Sequence, residues 1–248
     1  MMSPSDIDDR ITQIKHNLET VKSRISVAAE KSGRDADAVQ LIAVTKLLPV
    51  EMIQAGIQAG IRSFGENYPE EAAEKILAIK PDSDVTWHMI GHIQSRKTDI
   101  VCRHFDMVHS LDRMKIARYL DRYSEENSRI MPVLLEVNIS GEESKFGWQA
   151  WDETRWFDLV ALFKAISEME HIEIRGLMSM PPYFTDSEVT RPLYKRLRRL
   201  QQFLMGELPD TNWQELSIGT SFDYEVAVEE GATMVRIGTS IFGHRPVQ

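Results

Sequence analysis

Apolar residues near the start of the chain recur at helical spacing. Ile7, Ile11, Ile14, Leu18, Val21, Ile25 and Ala28 fall three or four positions apart, which places them on one helix face. The pattern predicts one long amphipathic helix over 6–31, stopped at Gly33. Beyond it the period changes, and short apolar runs alternate with helical stretches. The run VQLIAV (39–44) predicts a buried strand, and Pro49 opens a helix through Ala59. Further strands are expected at 61–64, 85–90, 106–109, 132–137, 172–177, 215–218 and 233–237. Helices are expected at 69–79, 93–101, 114–126, 151–168, 188–208 and 222–230.

Strands that alternate with helices imply parallel pairing through right-handed crossovers. Eight such units in about 250 residues match the size of a (β/α)₈ barrel. An open doubly wound sheet is the rival, and it usually carries a glycine fingerprint after its first strand. Here the first strand runs into Thr45-Lys46-Leu47-Leu48-Pro49, without glycine. No internal repeat or Pro/Ser-rich linker divides the chain. The expected fold is α/β, a single TIM barrel over 1–248 with an extra N-terminal helix.

Composition narrows the function. Hydrophobic residues make up 42% and charged residues 27%, a globular balance with material for a core. The net charge of −9 opposes a nucleic-acid footprint, though a local pocket for one phosphate remains compatible with it. The single cysteine, Cys102, excludes a disulfide framework and fits a reducing compartment. The N-terminus MMSPSDIDDRITQIKH has neither an apolar signal core nor transit-peptide character. No run of about 18 apolar residues exists to span a membrane. A cytoplasmic protein without membrane or nucleic-acid partners is expected.

A barrel carries its chemistry at the C-terminal strand ends. Lys46 ends the first strand. Lysine is rarely buried unless paired, and near apolar walls its amine loses its proton and attacks carbonyls. The competing reading is a strand-end lysine reaching for solvent. After the seventh strand comes Ser217-Ile218-Gly219-Thr220-Ser221-Phe222-Asp223, and after the eighth Arg236-Ile237-Gly238-Thr239-Ser240. Hydroxyls and glycine before a helix suit an anion, or simply cap the helix. Barrel phosphates often bind between these two loops. Arg236 interrupts the apolar run TMVRI, and alternation sends it to the face opposite Val235 and Ile237. Inside a barrel it needs an acceptor: a ring nitrogen, a carboxylate, a phosphate or a structural ion-pair partner. His88 and His92 stand four apart, but Gly91 between them spoils metal-ligand helix geometry, and no metal is expected. Trp148, Trp151 and Trp156 read as packing anchors, and Arg191, Lys195, Arg196, Arg198 and Arg199 as a solvated face.

A set of long motifs, in order, carries a resemblance. It comprises AVTK (43–46), FGENY (64–68), WHMIGHIQSRK (87–97), VHSLD (108–112), LEVNISGEESKFG (135–147), RGLMSMPP (175–182) and LSIGTSFDYEVAVEEGATMVRIGTSIFG (216–243). The chain resembles the pyridoxal phosphate homeostasis proteins over nearly its whole length after residue 38. The resemblance implies a fold-type III barrel like the N-terminal domain of alanine racemase. It implies pyridoxal 5′-phosphate as cofactor, held as an internal aldimine on Lys46. It implies a phosphate site at Ser221, Gly238 and Thr239 with Thr220 nearby, and Arg236 facing the pyridine nitrogen. Asn67, His88, Asn138 and Met178 would line the ring pocket. Ile218 and Thr220 stand where such proteins commonly have Met, Arg96 where they have Asn, and Thr45 where they have Ser. These departures touch pocket details and leave the lysine, the arginine and the loops in place.

The function implied is a non-catalytic one, holding and delivering cofactor to apo-enzymes that require it. A racemase or decarboxylase of the same fold is the alternative. Those relatives carry a second domain and a tyrosine four residues after the lysine. Here that position is Val50, and the chain stops at Gln248, so a monomer without that chemistry is expected. A Schiff-base aldolase would place its lysine on a later strand. Lys145 is a solvated loop lysine or a secondary acceptor for the cofactor.

Overall fold

The computed structural model describes residues 4–79 and 84–243. In chain order the elements are α1 (Pro4–Lys31), β1 (Gln40–Val44), α2 (Val50–Gln58), β2 (Ser63–Glu66), α3 (Pro69–Ala78), β3 (Thr86–Met89), α4 (Thr98–His104), β4 (Met107–Leu111), α5 (Met114–Glu126), β5 (Met131–Asn138), β6 (Trp148–Gln149), α6 (Trp156–Ser167), β7 (Ile172–Met178), α7 (Arg191–Glu207), β8 (Glu215–Thr220), α8 (Tyr224–Glu229), β9 (Met234–Ile237) and α9 (Thr239–Phe242).

The strands pair in parallel in the order β1–β2–β3–β4–β5–β7–β8–β9. β9 then pairs back onto β1, from Gln40↔Met234 to Ala43↔Ile237, and closes the barrel. Closure leaves none of these eight strands with an unpaired edge. The fold is therefore the expected α/β barrel of alternating strands and helices. The two-residue β6 was not legible in the sequence. It joins β5 at Val137↔Trp148 and Asn138↔Gln149, beyond the last β5–β7 pair at Glu136↔Met178.

Alternation along the strands sorts two apolar layers. Ile42, Met107, Leu134, Met178 and Met234 form a small cluster inside the barrel. Flexible methionines fill this tapering space well. Val235 and Ile237 instead join the large core between strands and helices. Arg236 therefore shares the inner face with Met234, and Glu136 shares it with Leu134. The helix α1 buries Ile14, Leu18, Val21, Ile25 and Ala28, the stripe its spacing predicts, against α2, α8 and α9. Its Asn17 amide donates to the Ile241 carbonyl at 2.8 Å.

Several expected boundaries move, each for a local reason. The strand expected at 61–64 lies at Ser63–Glu66, because Gly60 and Ile61 still bond back to α2. Pro49 caps α2 from outside rather than opening its first turn. The helix expected from 151 begins at Trp156, after a 3₁₀ turn capped by the Asp152 carboxylate on the Thr154 N–H. The helix expected from 188 begins at Arg191, after another such turn. The helix expected at 93–101 is a 3₁₀ turn, Ser95–Lys97, followed by α4.

The basic segment of α7 is a paired surface. Arg191 meets Glu188, Glu229 and Glu230, while Arg196 and Arg199 meet Glu153. Trp148 and Trp156 pack against Phe163 and Phe203, whereas Trp151 is about half exposed. Among the described residues, no helix is long and apolar enough to cross a membrane.

Candidate functional site

Lys46 leaves β1 in a tight turn. The Leu48 N–H donates to the Thr45 carbonyl at 3.0 Å, and Leu47 takes a left-handed φ of 61°. That conformation is uncommon for leucine and needs support from its surroundings. The Glu71 carboxylate accepts the Leu47 N–H at 2.8 Å. Lys75 donates to the Thr45 carbonyl and to Glu66 Oε1, both at 2.9 Å, and also pairs with Glu71. The Thr45 hydroxyl donates to the same Glu66 oxygen at 2.7 Å. Thus β2 and α3 hold the backbone on both sides of Lys46. Glu66 is fully buried, and burial raises its pKa against the opposing pull of Lys75.

The two glycine-hydroxyl segments meet. Ser221 Oγ accepts from the N–H groups of Gly238 at 3.1 Å and Ser240 at 3.2 Å. The Thr220 N–H and hydroxyl both donate to Asp223 Oδ1, and Tyr194 donates to Asp223 Oδ2 at 2.6 Å. Gly219 is required between them. Its φ is +88°, and a Cβ there would lie 2.6 Å from the Ala227 side chain.

Arg236 is buried inside the barrel without a carboxylate within ion-pair reach among the described residues. Its guanidinium donates to the Ser217 carbonyl at 2.7 Å, Ser217 Oγ at 2.5 Å and the Ser179 carbonyl at 3.0 Å. Burial lowers its pKa from the usual arginine value. A hydrogen-bond chain continues beneath it. Ser217 Oγ lies 2.9 Å from His109 Nδ1, and His109 Nε2 lies 3.0 Å from His88 Nδ1. Arginine can only donate, so a consistent chain runs from Arg236 through the Ser217 hydroxyl to His109 and His88. Both imidazoles are then neutral. Burial pushes His88 down to about 4, and burial together with His88 and Arg236 pushes His109 well down.

A cavity of about 250 Å³ opens above this layer. Lys46, Asn67, Thr220, Ser221, Arg236, Gly238 and Thr239 all line it, with Val44, Ile90, Met180 and Phe222 as apolar wall. Asn67 Oδ1 is buried there and has no hydrogen-bond partner among the described residues. The backbone of Asn67 is seated against Gly91, where a Cβ would lie 2.5 Å from the Asn67 carbonyl. Three residues expected at the ring pocket, His88, Asn138 and Met178, do not line this cavity. His88 lies below it in the chain under Arg236. Asn138 ties its own loop, accepting from Ser140 and Gly141 and donating to the Glu142 carbonyl at 2.8 Å.

A second cavity, of about 630 Å³, adjoins the first and shares Asn67, Ile90 and Met180 with it. Met178 faces this one, as do Arg96, Lys97, Lys145 and Phe146. So does Glu136, which the sequence reading passed over. Its strand position on the inner face, two after Leu134, was the available signal. His92 approaches Asp112 at 2.9 Å and stacks on Phe146 with ring centroids 4.0 Å apart. Among the described residues, no group of three acidic, histidine or cysteine side chains could hold a metal.

Comparison with known proteins shows the family and the fold. The family model described as "Alanine racemase, N-terminal domain" matches residues 11–246. A pyridoxal phosphate homeostasis protein of Vibrio alginolyticus is 41% identical over 238 residues, covering 95% of this chain and 99% of that one. The protein of that description in Escherichia coli K12 is 37% identical, covering 95% and 98%. The solved structure of PipY from Synechococcus elongatus PCC7942 with PLP bound superposes with a TM-score of 0.81 at 34% identity, covering 93% of this chain and all of that one. An alanine racemase of Clostridium difficile 630 superposes with a TM-score of 0.68 at 14% identity, covering 95% of this chain and 57% of that one, a likeness of fold.

Proposed function

The chain belongs to the family of pyridoxal phosphate homeostasis proteins, and we propose that it binds pyridoxal 5′-phosphate in the smaller cavity, holding and buffering it without robust catalysis. One observation carries the reading. A lysine, two hydroxyl-glycine loops and a buried arginine, drawn from both ends of the sequence, converge on one cavity of about 250 Å³.

The residues present fit the group. The apolar wall of Val44, Ile90, Met180 and Phe222 suits a ring, and Ser221, Gly238 and Thr239 form a polar end for an anion. The unpartnered Asn67 Oδ1 is an acceptor left for a ligand donor. When bound, the cofactor supplies an aldehyde that condenses reversibly with a primary amine. Lys46 would supply that amine, positioned by Lys75 and Glu71. Thr220, Ser221, Gly238 and Thr239 would hold the phosphate. Arg236 would keep a fixed positive charge in the wall, which disfavours adding a proton to a neighbouring ring nitrogen. A ring left unprotonated withdraws electrons poorly, and that favours a holder over a catalyst. Asn67 and Met178 would flank the ring and its approach, while His88 and Asn138 act from beneath and beside it.

The relatives are named homeostasis proteins and not racemases, which supports the same choice. A cytoplasmic site of action is supported by the single cysteine, buried as a thiol whose pKa burial raises to about 11. Delivery to apo-enzymes and a monomeric state complete the reading.

The test is an absorbance titration with pyridoxal 5′-phosphate, followed by borohydride and peptide mapping. A visible band that borohydride removes, with the label on Lys46, is expected. Lys46→Ala should lose the band and keep its fold by circular dichroism. No band at saturating cofactor, or a label on another residue, overturns the assignment.

A further inference from the structure

The larger cavity has its own chemistry. Glu136 is 8% exposed and lines it, and its carboxylate makes no hydrogen bond among the described residues. Its oxygens open onto the cavity, so their donors come from whatever fills that space. Asn67 Oδ1, at the junction of the two cavities, is a second acceptor without a donor. Both atoms call for N–H groups at the deep end of the cavity. The other charges of the lining complete the pattern. Lys97 is neutralised by Glu70. Arg96 has only the uncharged Gln94 oxygen at 3.2 Å, and Lys145 makes no ion pair among the described residues. The lining therefore offers one anion deep inside and two cations nearer the mouth. Ile90, Phe146, Met178 and Met180 supply apolar wall between them.

We propose that this cavity is a second binding site, for a free α-amino acid with an apolar side chain, its ammonium held by Glu136 and Asn67 and its carboxylate by Arg96 and Lys145. A zwitterion matches both ends at once, and neither a simple anion nor a simple amine does. The ammonium then lies toward the smaller cavity, since Asn67 belongs to both walls. An amino acid seated here presents its amine to whatever occupies the Lys46 site. That last consequence rests on the proposed function, whereas the binding site does not.

The test uses the full chain freed of cofactor, in isothermal titration calorimetry with three probes. L-leucine carries both charges, 3-methylbutylamine only the ammonium and 4-methylpentanoate only the carboxylate. Leucine should bind, the amine about tenfold more weakly or worse, and the carboxylate least, since each lost charged hydrogen bond is worth roughly a factor of ten. Glu136→Gln, equal in shape, should weaken leucine by about tenfold or more on the same scale. Arg96→Gln, on an exposed residue, should weaken leucine and leave 3-methylbutylamine unchanged. The proposal is overturned if leucine does not bind the parent, or if folded Glu136→Gln binds it with parental affinity. A parallel titration of the parent with pyridoxal 5′-phosphate separates the two readings. Leucine binding without cofactor binding defeats only the proposed function. Cofactor binding without leucine binding defeats only the second site.

Discussion

The ammonium of Lys75 donates to the carbonyl of Thr45 at 2.9 Å, thirty positions earlier in the chain. Lys75 is 5% exposed, and the same ammonium holds the buried Glu66. Its contact fixes the residue that precedes Lys46, so a lysine on α3 orients a lysine after β1.

Replacing Lys75 should therefore do two things. Lys75→Met leaves Glu66 buried beside Glu71 without a cation, and breaking such a buried pair costs about 3–5 kcal/mol. Urea unfolding should show a loss of that order. Adding Glu66→Gln to the same chain should restore part of it. Cofactor affinity should fall in both variants, because the Thr45 carbonyl loses its donor and Glu71, which holds Leu47, loses its cation. A single variant as stable as the parent would remove this role from Lys75.

Under the proposed function, Ser221 holds the phosphate and not the rest of the ligand. Its hydroxyl joins the loop after β8 to the N–H groups of Gly238 and Ser240. Ser221→Ala should weaken pyridoxal 5′-phosphate by roughly tenfold, the effect of one charged hydrogen bond. Pyridoxal, which lacks the phosphate, should lose little. Equal losses for both ligands would place the phosphate elsewhere.

The neutral histidines under Arg236 make the fold sensitive to acid. In the unfolded chain each takes up a proton near pH 6.5. In the fold His88 does so only near 4, and burial holds His109 well below its ordinary value. Between these values the unfolded chain binds more protons, so stability falls as pH drops below 6.5. At about 1.4 kcal/mol per pKa unit, His88 alone contributes on the order of 3 kcal/mol. Unfolding free energies from pH 7.5 down to 4 should show this decline, and His88→Gln should flatten it.

Glu136 acts in the opposite direction. Burial first, and the Asp112 charge second, push its carboxyl up to about 7, against Arg236, Arg113 and Lys145. His92 Nδ1 stands 2.9 Å from Asp112 on this side. The folded chain then holds a proton that the unfolded chain has released, from pH 4.5 upward. Stability from this group therefore falls as pH rises from 4.5 through about 7. Glu136→Gln should be more stable than the parent at pH 8, by on the order of 2–3 kcal/mol, with the difference closing toward pH 4.5. Leucine binding to the parent should weaken as pH drops below 7, and the variant should show no such step. Parallel stability curves for the two chains would show that Glu136 is not held protonated by the fold.

Much of the site was legible because it sits at strand ends. Lys46 follows an unmistakable apolar run, and Arg236 interrupts one, so period-two alternation already turned it inward. The loops after β8 and β9 declared themselves by glycine and hydroxyl content. Lys75 gave no such signal, because a lysine within PEEAAEKILA looks like any solvated helix residue. Glu136 was hidden inside PVLLEV, where a strand search registers only the apolar neighbours. His88 and Asn138 carried the right chemistry, and their partners moved them off the cavity wall.

The sequence by itself determined the order of strands and helices, the barrel and the loops that bear chemistry. These follow from periodicity, turn residues and strand-end position, which are properties of neighbours along the chain. The tertiary structure alone decided which polar groups share a space. Barrel closure brings β9 beside β1 and α3 behind Lys46, and it divides the mouth into two cavities. Partnerships of that kind depend on packing between distant segments, and no local period encodes them.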